Sequence, residues 1–117
     1  MRVAMLGAGS WGTALAYTLA TKGFAVPMWD VNTAVLESIS HHENTRYLPG
    51  ITLPDTILGV ADLPTALADV DLVVFAVPSG AMRVVAEQAQ TLIPPGALIC
   101  SVTKGIEVAK KIKKIGM

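Results

Sequence analysis

The sequence predicts an α/β domain, a doubly wound and mostly parallel sheet with helices on both faces, and three observations predict it. Short apolar runs alternate with amphipathic segments along the chain, the pattern of parallel strands joined by right-handed helical crossovers. The first run, Arg2-Val3-Ala4-Met5-Leu6, feeds straight into Gly7-Ala8-Gly9-Ser10-Trp11-Gly12, a G-x-G-x-x-G turn between a strand and a helix. The next run, Phe24-Ala25-Val26-Pro27-Met28-Trp29, ends on Asp30, the acidic residue expected about 20 positions beyond such a turn.

The glycines have separate duties. Gly7 permits the tight turn, Gly9 lets the backbone approach a pyrophosphate with no Cβ in the way, and Gly12 allows close packing of helix on sheet. A phosphate would then sit on free N–H groups at a helix N-terminus. Asp30 at the tip of the second strand can accept hydrogen bonds from an adenosine ribose diol; its blander role is to cap the helix beginning near Asn32. Turn and carboxylate together indicate a dinucleotide site.

Composition narrows the partners. A chain of 117 residues makes one domain, burying on the order of 65 per cent of its unfolded surface. Net charge is zero, which argues against nucleic acid or an anionic membrane as partner, because both need a basic footprint. The apolar fraction of 52 per cent suits a parallel sheet buried on both faces. No apolar stretch approaches the ~18 residues of a membrane span, and the N-terminus reads as a strand rather than a targeting segment. Cys100, the only cysteine, lies in the run Ala97-Leu98-Ile99-Cys100; the expectation is a buried core thiol in a reducing, cytoplasmic compartment. His41 and His42 lack companions that would complete a metal site and are expected to be solvated.

The elements follow in order. A helix from about Thr13 to Lys22 presses Leu15 and Leu19 on the sheet and stops at Gly23. A second, from about Thr33 to Ser40, turns Val35, Leu36 and Ile39 to one side. The stretch from Glu43 to Pro54 is irregular, and loops of this length are often functional. A short strand over Ile57–Val60 and a helical turn around Pro64–Ala68 precede Asp71–Val77, the strongest buried-strand signal. Pro78-Ser79-Gly80 ends that strand, a helix covers about Ala81–Thr91, Pro94-Pro95-Gly96 stops it, and Leu98–Val102 makes a further strand. Pro27 conflicts locally with the second strand, since proline cannot donate to a ladder; the expected resolution is a weak third strand that leaves its nitrogen unpaired without cost.

In an open parallel sheet, ligands bind beyond the carboxyl ends of the strands, and the unusual residues fall there: Gly7 to Gly12, Asp30, Val77-Pro78-Ser79 and Thr103-Lys104-Gly105. Pro78 and Ser79 either touch a cofactor or merely stop a strand and start a helix. Lys104, a cation on a glycine-flanked turn after a buried strand, is placed to bind a phosphate or polarise a carbonyl; its plain alternative is a surface lysine.

Four motifs in this order, Gly7-Ala8-Gly9-Ser10-Trp11-Gly12-Thr13-Ala14-Leu15-Ala16, Asn44-Thr45-Arg46-Tyr47-Leu48-Pro49-Gly50, Val77-Pro78-Ser79 and Thr103-Lys104-Gly105-Ile106-Glu107, resemble the N-terminal half of NAD(P)-dependent sn-glycerol-3-phosphate dehydrogenase. The resemblance covers residues 1–108. It implies a Rossmann-type dinucleotide-binding domain and hydride exchange between a nicotinamide cofactor and the dihydroxyacetone phosphate/sn-glycerol 3-phosphate pair, at the head of glycerolipid synthesis. It implies that Ser10, Trp11 and Pro78 lie against the cofactor and that Lys104 reaches both cofactor and substrate, where an ammonium stabilises developing oxygen charge.

Within the resemblance, members that use NADPH often carry a basic residue just after strand two, whereas this chain has Asp30-Val31-Asn32. A carboxylate repels a 2′-phosphate, so NAD is the expected cofactor in preference to NADP, and neutralising Asp30 is expected to erase the preference. Full-length members continue into a helical domain that supplies the general acid/base; here residues 109–117 form a lysine-rich tail instead. The expectations are no catalytic acid/base in this chain, little turnover by itself, and self-association through the face a second domain would cover. Arg46 and Tyr47 either face substrate or serve as a surface arginine and a packing tyrosine. Two other readings share the glycine loop: a hydroxyacid-type or ketopantoate-type reductase, and a non-enzymatic dinucleotide-binding module.

Overall fold

The computed structural model describes residues 1–102. Five parallel strands, β1 (Val3–Leu6), β2 (Val26–Trp29), β3 (Ile57–Val60), β4 (Leu72–Phe75) and β5 (Leu98–Ser101), lie in the order β3-β2-β1-β4-β5. Helices α1 (Ser10–Thr21), α2 (Thr33–Ser40), α3 (Leu63–Leu67) and α4 (Ser79–Ala89) connect them. Strand order reverses between β1 and β4, and a crevice opens there at the carboxyl ends.

The alternation of side chains along a strand divides the core in two. On β1, Val3 and Met5 join Val26, Met28 and Val74 under α1 and α2, whereas Ala4 and Leu6 join Trp29, Val73 and Phe75 under α3 and α4. All four β1 side chains are fully buried, so this strand is apolar throughout, as a two-sided parallel strand must be. At the sheet's margin, the Gly59 position leaves room for α2: a Cβ there would lie 3.1 Å from the Leu36 carbonyl oxygen.

The first and fourth helices begin earlier than the sequence predicts, while α2 spans Thr33–Ser40 as expected. The first starts at Ser10, because Gly9 is its extended N-cap residue and Ser10-Trp11-Gly12 already form the first turn. The fourth starts at Ser79, directly after Pro78. Where caps are made by side chains they are regular: Asn32 accepts from Ala34 N and Val35 N, and Asp62 accepts from Thr65 N. The Thr65 hydroxyl and backbone N–H hold the Asp62 carboxyl below its ordinary value.

Pro27 corrects one expectation. β2 pairs with β3 along all four residues, Val26↔Ile57 through Trp29↔Val60, so the third strand is not the weak partner. Val26 N donates to Thr56 O on the β3 side, while Ala25 N and Trp29 O bond to Met1 O and Gly7 N on the β1 side. Alternation therefore turns the Pro27 nitrogen toward β1. There the ladder is interrupted: Arg2↔Ala25 is an isolated bridge, and regular pairing resumes at Met5↔Met28. The proline sits on an inner strand and removes one donor from the β1–β2 ladder.

Cys100 corrects another. It is a free, exposed thiol, because β5 forms the sheet's edge among the described residues and its burial alternates, with Leu98 and Cys100 outward and Ile99 and Ser101 half-buried. An apolar run alone does not reveal which strand lies at an edge. His41 and His42 are both exposed. The His42 carbonyl, at φ +65°, accepts from Leu53 N at 2.6 Å and closes the start of the irregular loop.

Candidate functional site

The crevice is a cleft of about 650 Å³ whose wall includes Gly7, Gly9, Ser10, Trp11, Asp30, Tyr47 and Pro78. Its floor follows from the glycine turn. Gly7 N donates to Trp29 O (2.7 Å) at the end of β2, and Ala76 N donates to Leu6 O (2.8 Å) beyond β4, so the turn is wedged between two strand ends. Gly7 has φ +120°, and a Cβ on it would lie 2.6 Å from the Ala76 carbonyl oxygen. Gly12 faces back on the same turn, where a Cβ would collide with the Gly7 carbonyl. Gly9 is different: a Cβ on it would meet nothing within 4 Å, so this glycine borders open space at the cleft.

The residue between the first two glycines is held on both sides. Ala8 N donates to Asp30 Oδ2 at 2.8 Å. Ala8 O accepts from Asn44 Nδ2 (3.0 Å) and from Thr13 Oγ1 (3.2 Å). Asp30 Oδ1 accepts from Asn32 N at 2.9 Å. Both carboxylate oxygens thus carry a backbone N–H, and the residue ties β2 to the glycine turn. Asn32, not Asp30, caps α2.

Helix α1 begins on Gly9 with no side-chain cap. Its first N–H groups have no intrahelical acceptor, and with the helix dipole they form an anion-binding end that opens on the cleft. Trp11 is 72% exposed and Val31 80% exposed, two large apolar side chains at the cleft wall. Tyr47 reaches the wall from the irregular loop, with the Arg46 guanidinium 5.5 Å from its ring centroid. Pro78 and Ser79, at the start of α4, line the cleft as well.

The structure therefore gathers Gly7, Gly9, Ser10, Trp11, Asp30 and Pro78 in one place, with Gly12 buried directly behind the turn. Lys104, the proposed tail 109–117 and the Thr103-Lys104-Gly105 turn lie outside the described residues. Thr13 and Asn44, both fully buried polar residues, stand within the quoted motifs, but sequence reasoning gives neither a role of its own. Asn44 stands 36 residues from Ala8 and 31 from Thr13, so no local pattern signals the contact. Its Oδ1 is buried without a hydrogen-bond partner among the described residues, an arrangement that costs about 1–3 kcal/mol.

Sheet order, glycine turn and cleft at the switch point define a domain of the Rossmann-type, dinucleotide-binding class. The family model described as "NAD-dependent glycerol-3-phosphate dehydrogenase N-terminus" matches residues 2–115, and the chain belongs to that family. The match extends past residue 108, where the resemblance read from the sequence ends. The chain is 50% identical over 109 residues to a glycerol-3-phosphate dehydrogenase [NAD(P)+] of Anaeromyxobacter dehalogenans, covering 92% of this chain and 33% of the relative. Against the crystal structure of the Coxiella burnetii glycerol-3-phosphate dehydrogenase the TM-score is 0.91 at 33% identity, covering 99% of this chain and 38% of that one. The yeast glycerol-3-phosphate dehydrogenase gives a TM-score of 0.86 at 31% identity, over 97% of this chain and 38% of that one. The chain thus spans about a third of the length of the curated relatives it matches.

Proposed function

We propose that this chain is the cofactor-binding half of a glycerol-3-phosphate dehydrogenase, holding NAD for hydride exchange between the nicotinamide and the dihydroxyacetone phosphate/sn-glycerol 3-phosphate pair in glycerol phospholipid synthesis. The observation that carries the reading is the uncapped N-terminus of α1, set on a glycine turn whose Ala8 is pinned by Asp30 and Asn44 and which opens on the cleft. The cleft fits the group: Gly9 leaves backbone open to a pyrophosphate, and Trp11, Val31 and Pro78 offer apolar wall. The bound nicotinamide supplies the hydride. The chain's own part is to hold the phosphates on Ser10 and Trp11 N–H groups and to set the adenosine end beside Asp30. Lys104 stands in this reading as the cation toward the phosphate substrate, on the strength of the family resemblance.

Among the described residues, the only titratable groups of the cleft wall are Asp30, occupied by backbone donors, and Tyr47. That supports little turnover by this chain alone, the acid/base coming from elsewhere. A free exposed thiol at Cys100 suits a reducing cytoplasm. No helix among the described residues is long and apolar enough to cross a membrane.

Tryptophan fluorescence tests the reading. Trp29 is 6% exposed and shielded, whereas Trp11 is open at the cleft, so saturable quenching by NADH is expected from Trp11 and is expected to vanish in Trp11→Phe. A flat titration with both NADH and NADPH would sink the cofactor reading. The preference for NADH rests on the Asp30 charge and the lack of a cation at Val31. Val31→Arg should raise NADPH affinity by about tenfold through a charge-assisted contact with the 2′-phosphate, measured by calorimetry; an unchanged NADPH affinity would remove position 31 from the discrimination.

Self-association through the face a second domain would cover is proposed, and the outward side of β5, where Leu98 is 65% exposed beside Cys100, is the contact taken to carry it. Leu98→Lys should shift sedimentation toward monomer, and a wild-type chain that is monomeric at high concentration would count against the contact.

A further inference from the structure

Asn44 lies outside the glycine motif and away from the cleft wall, yet it is fully buried against the turn. Its Nδ2 donates to Ala8 O at 3.0 Å and to Thr13 Oγ1 at 2.8 Å. Thr13 Oγ1 in turn donates to Ala8 O at 3.2 Å. One amide thus closes a small ring joining the turn, the first helix and the irregular loop. Its orientation is fixed by chemistry, because the flipped amide would set Oδ1 against the Ala8 carbonyl, acceptor to acceptor. The same residue's backbone carbonyl accepts from Tyr47 N (3.2 Å) and Leu48 N (2.7 Å), holding the turn that brings Tyr47 to the cleft. Asn44 therefore grips the glycine turn with its side chain and the Tyr47 wall with its backbone.

The unpartnered Oδ1 sharpens the argument. A buried amide kept only to fill space would be outperformed by an apolar side chain of similar volume, which has no acceptor to strand. What the amide adds is the pair of bonds made by Nδ2. Ala8 is fully buried, so water does not replace them.

We propose that Asn44 is a positioning residue for the cofactor, a role resting on the dinucleotide reading of the cleft: through Thr13 and the Ala8 carbonyl it sets the aim of the loop N–H groups that receive the pyrophosphate. Asp30 restrains the N–H of Ala8 and Asn44 its C=O, leaving the turn no freedom to rotate away from the ligand. Preorganisation of this kind appears in affinity for whatever carries the pyrophosphate, and not in affinity for the adenosine end.

The test compares wild type with Asn44→Ala, Thr13→Val and Thr13→Ser, titrated with NADH, ADP-ribose and adenosine, each referred to its folded fraction. Asn44→Ala and Thr13→Val should each weaken NADH and ADP-ribose by about tenfold, the worth of a hydrogen bond, while adenosine affinity holds. Because the two residues share one network, the double variant should be less than additive. Thr13→Ser, which retains the hydroxyl, should restore the affinity. Wild-type NADH affinity in both lesioned variants would overturn the proposal while leaving the cofactor reading intact. Equal loss for adenosine, or failure of both variants to fold, would assign the amide to general stability and overturn it too. Failure of wild type to bind NADH would remove the cofactor reading and the proposal with it.

Discussion

Replacing Gly12 by alanine should lower the melting temperature by more than about 10 °C, whereas the same change at Gly9 should leave it within a few degrees and weaken NADH binding by about 100-fold. Both glycines belong to one turn, and the difference lies in what a methyl group would meet. At Gly12 it collides with the carbonyl of Gly7, backbone against backbone, with no flexible side chain to yield. Helix α1 would have to retreat from β1, pulling Thr13 away from Ala8 and Asn44. Overpacking costs about 1–3 kcal/mol and sometimes more, and about 3 kcal/mol is a large share of a domain's stability of roughly 5–15 kcal/mol. At Gly9 the methyl group enters open space, and the structural cost is that of alanine at an N-cap, about 0.5 kcal/mol. That same space is where a pyrophosphate approaches the backbone, so affinity for NADH should fall on the order of 100-fold, the loss of two charge-assisted hydrogen bonds. Thermal melts and a fluorescence titration of the two variants separate the effects. A Gly9→Ala chain that binds NADH as tightly as wild type would mean that the turn does not cradle a phosphate.

The fold was legible because its rules are local. Apolar runs gave β1 and β4, and Ile57–Val60 and Thr33–Ser40 form the elements expected of them. Glycine spacing and Asp30 marked the cleft for the same reason: a tight turn, a close approach and a carboxylate at a strand tip are one-dimensional signals. Cys100 is exposed against expectation because an edge strand and an inner strand share the same apolar pattern, and only sheet order tells them apart. Pro27 was misplaced because the side to which a nitrogen points depends on register with both neighbours. Asn44 escaped because its worth lies in atoms more than 30 residues away.

Asp30→Ala should weaken NADH and NADPH together, and Asp30→Asn should separate the residue's two duties. The carboxylate accepts from Ala8 N and Asn32 N, one oxygen each. Alanine leaves the N–H of fully buried Ala8 without a partner, which costs about 1–3 kcal/mol and frees the turn. Cofactors with or without a 2′-phosphate use that turn equally, so a common loss reports the strut. Charge acts separately: a 2′-phosphate carries about −1.5 to −2, and a carboxylate beside the ribose end disfavours it. Asparagine has nearly the same shape but one acceptor oxygen, so it can satisfy only one of the two N–H groups, while its charge is gone. For Asp30→Asn the NADH affinity should drop less than in Asp30→Ala, and the NADH-to-NADPH ratio should narrow by about tenfold. Calorimetric titrations of both variants with both cofactors read the two quantities independently. If Asp30→Ala instead lowers NADH affinity alone and melts like wild type, the carboxylate is a ribose ligand rather than a strut, and the bonds to Ala8 and Asn32 contribute little. If Asp30→Asn leaves the ratio untouched, discrimination does not reside in this charge, and Val31 becomes the position that decides which cofactor the cleft accepts.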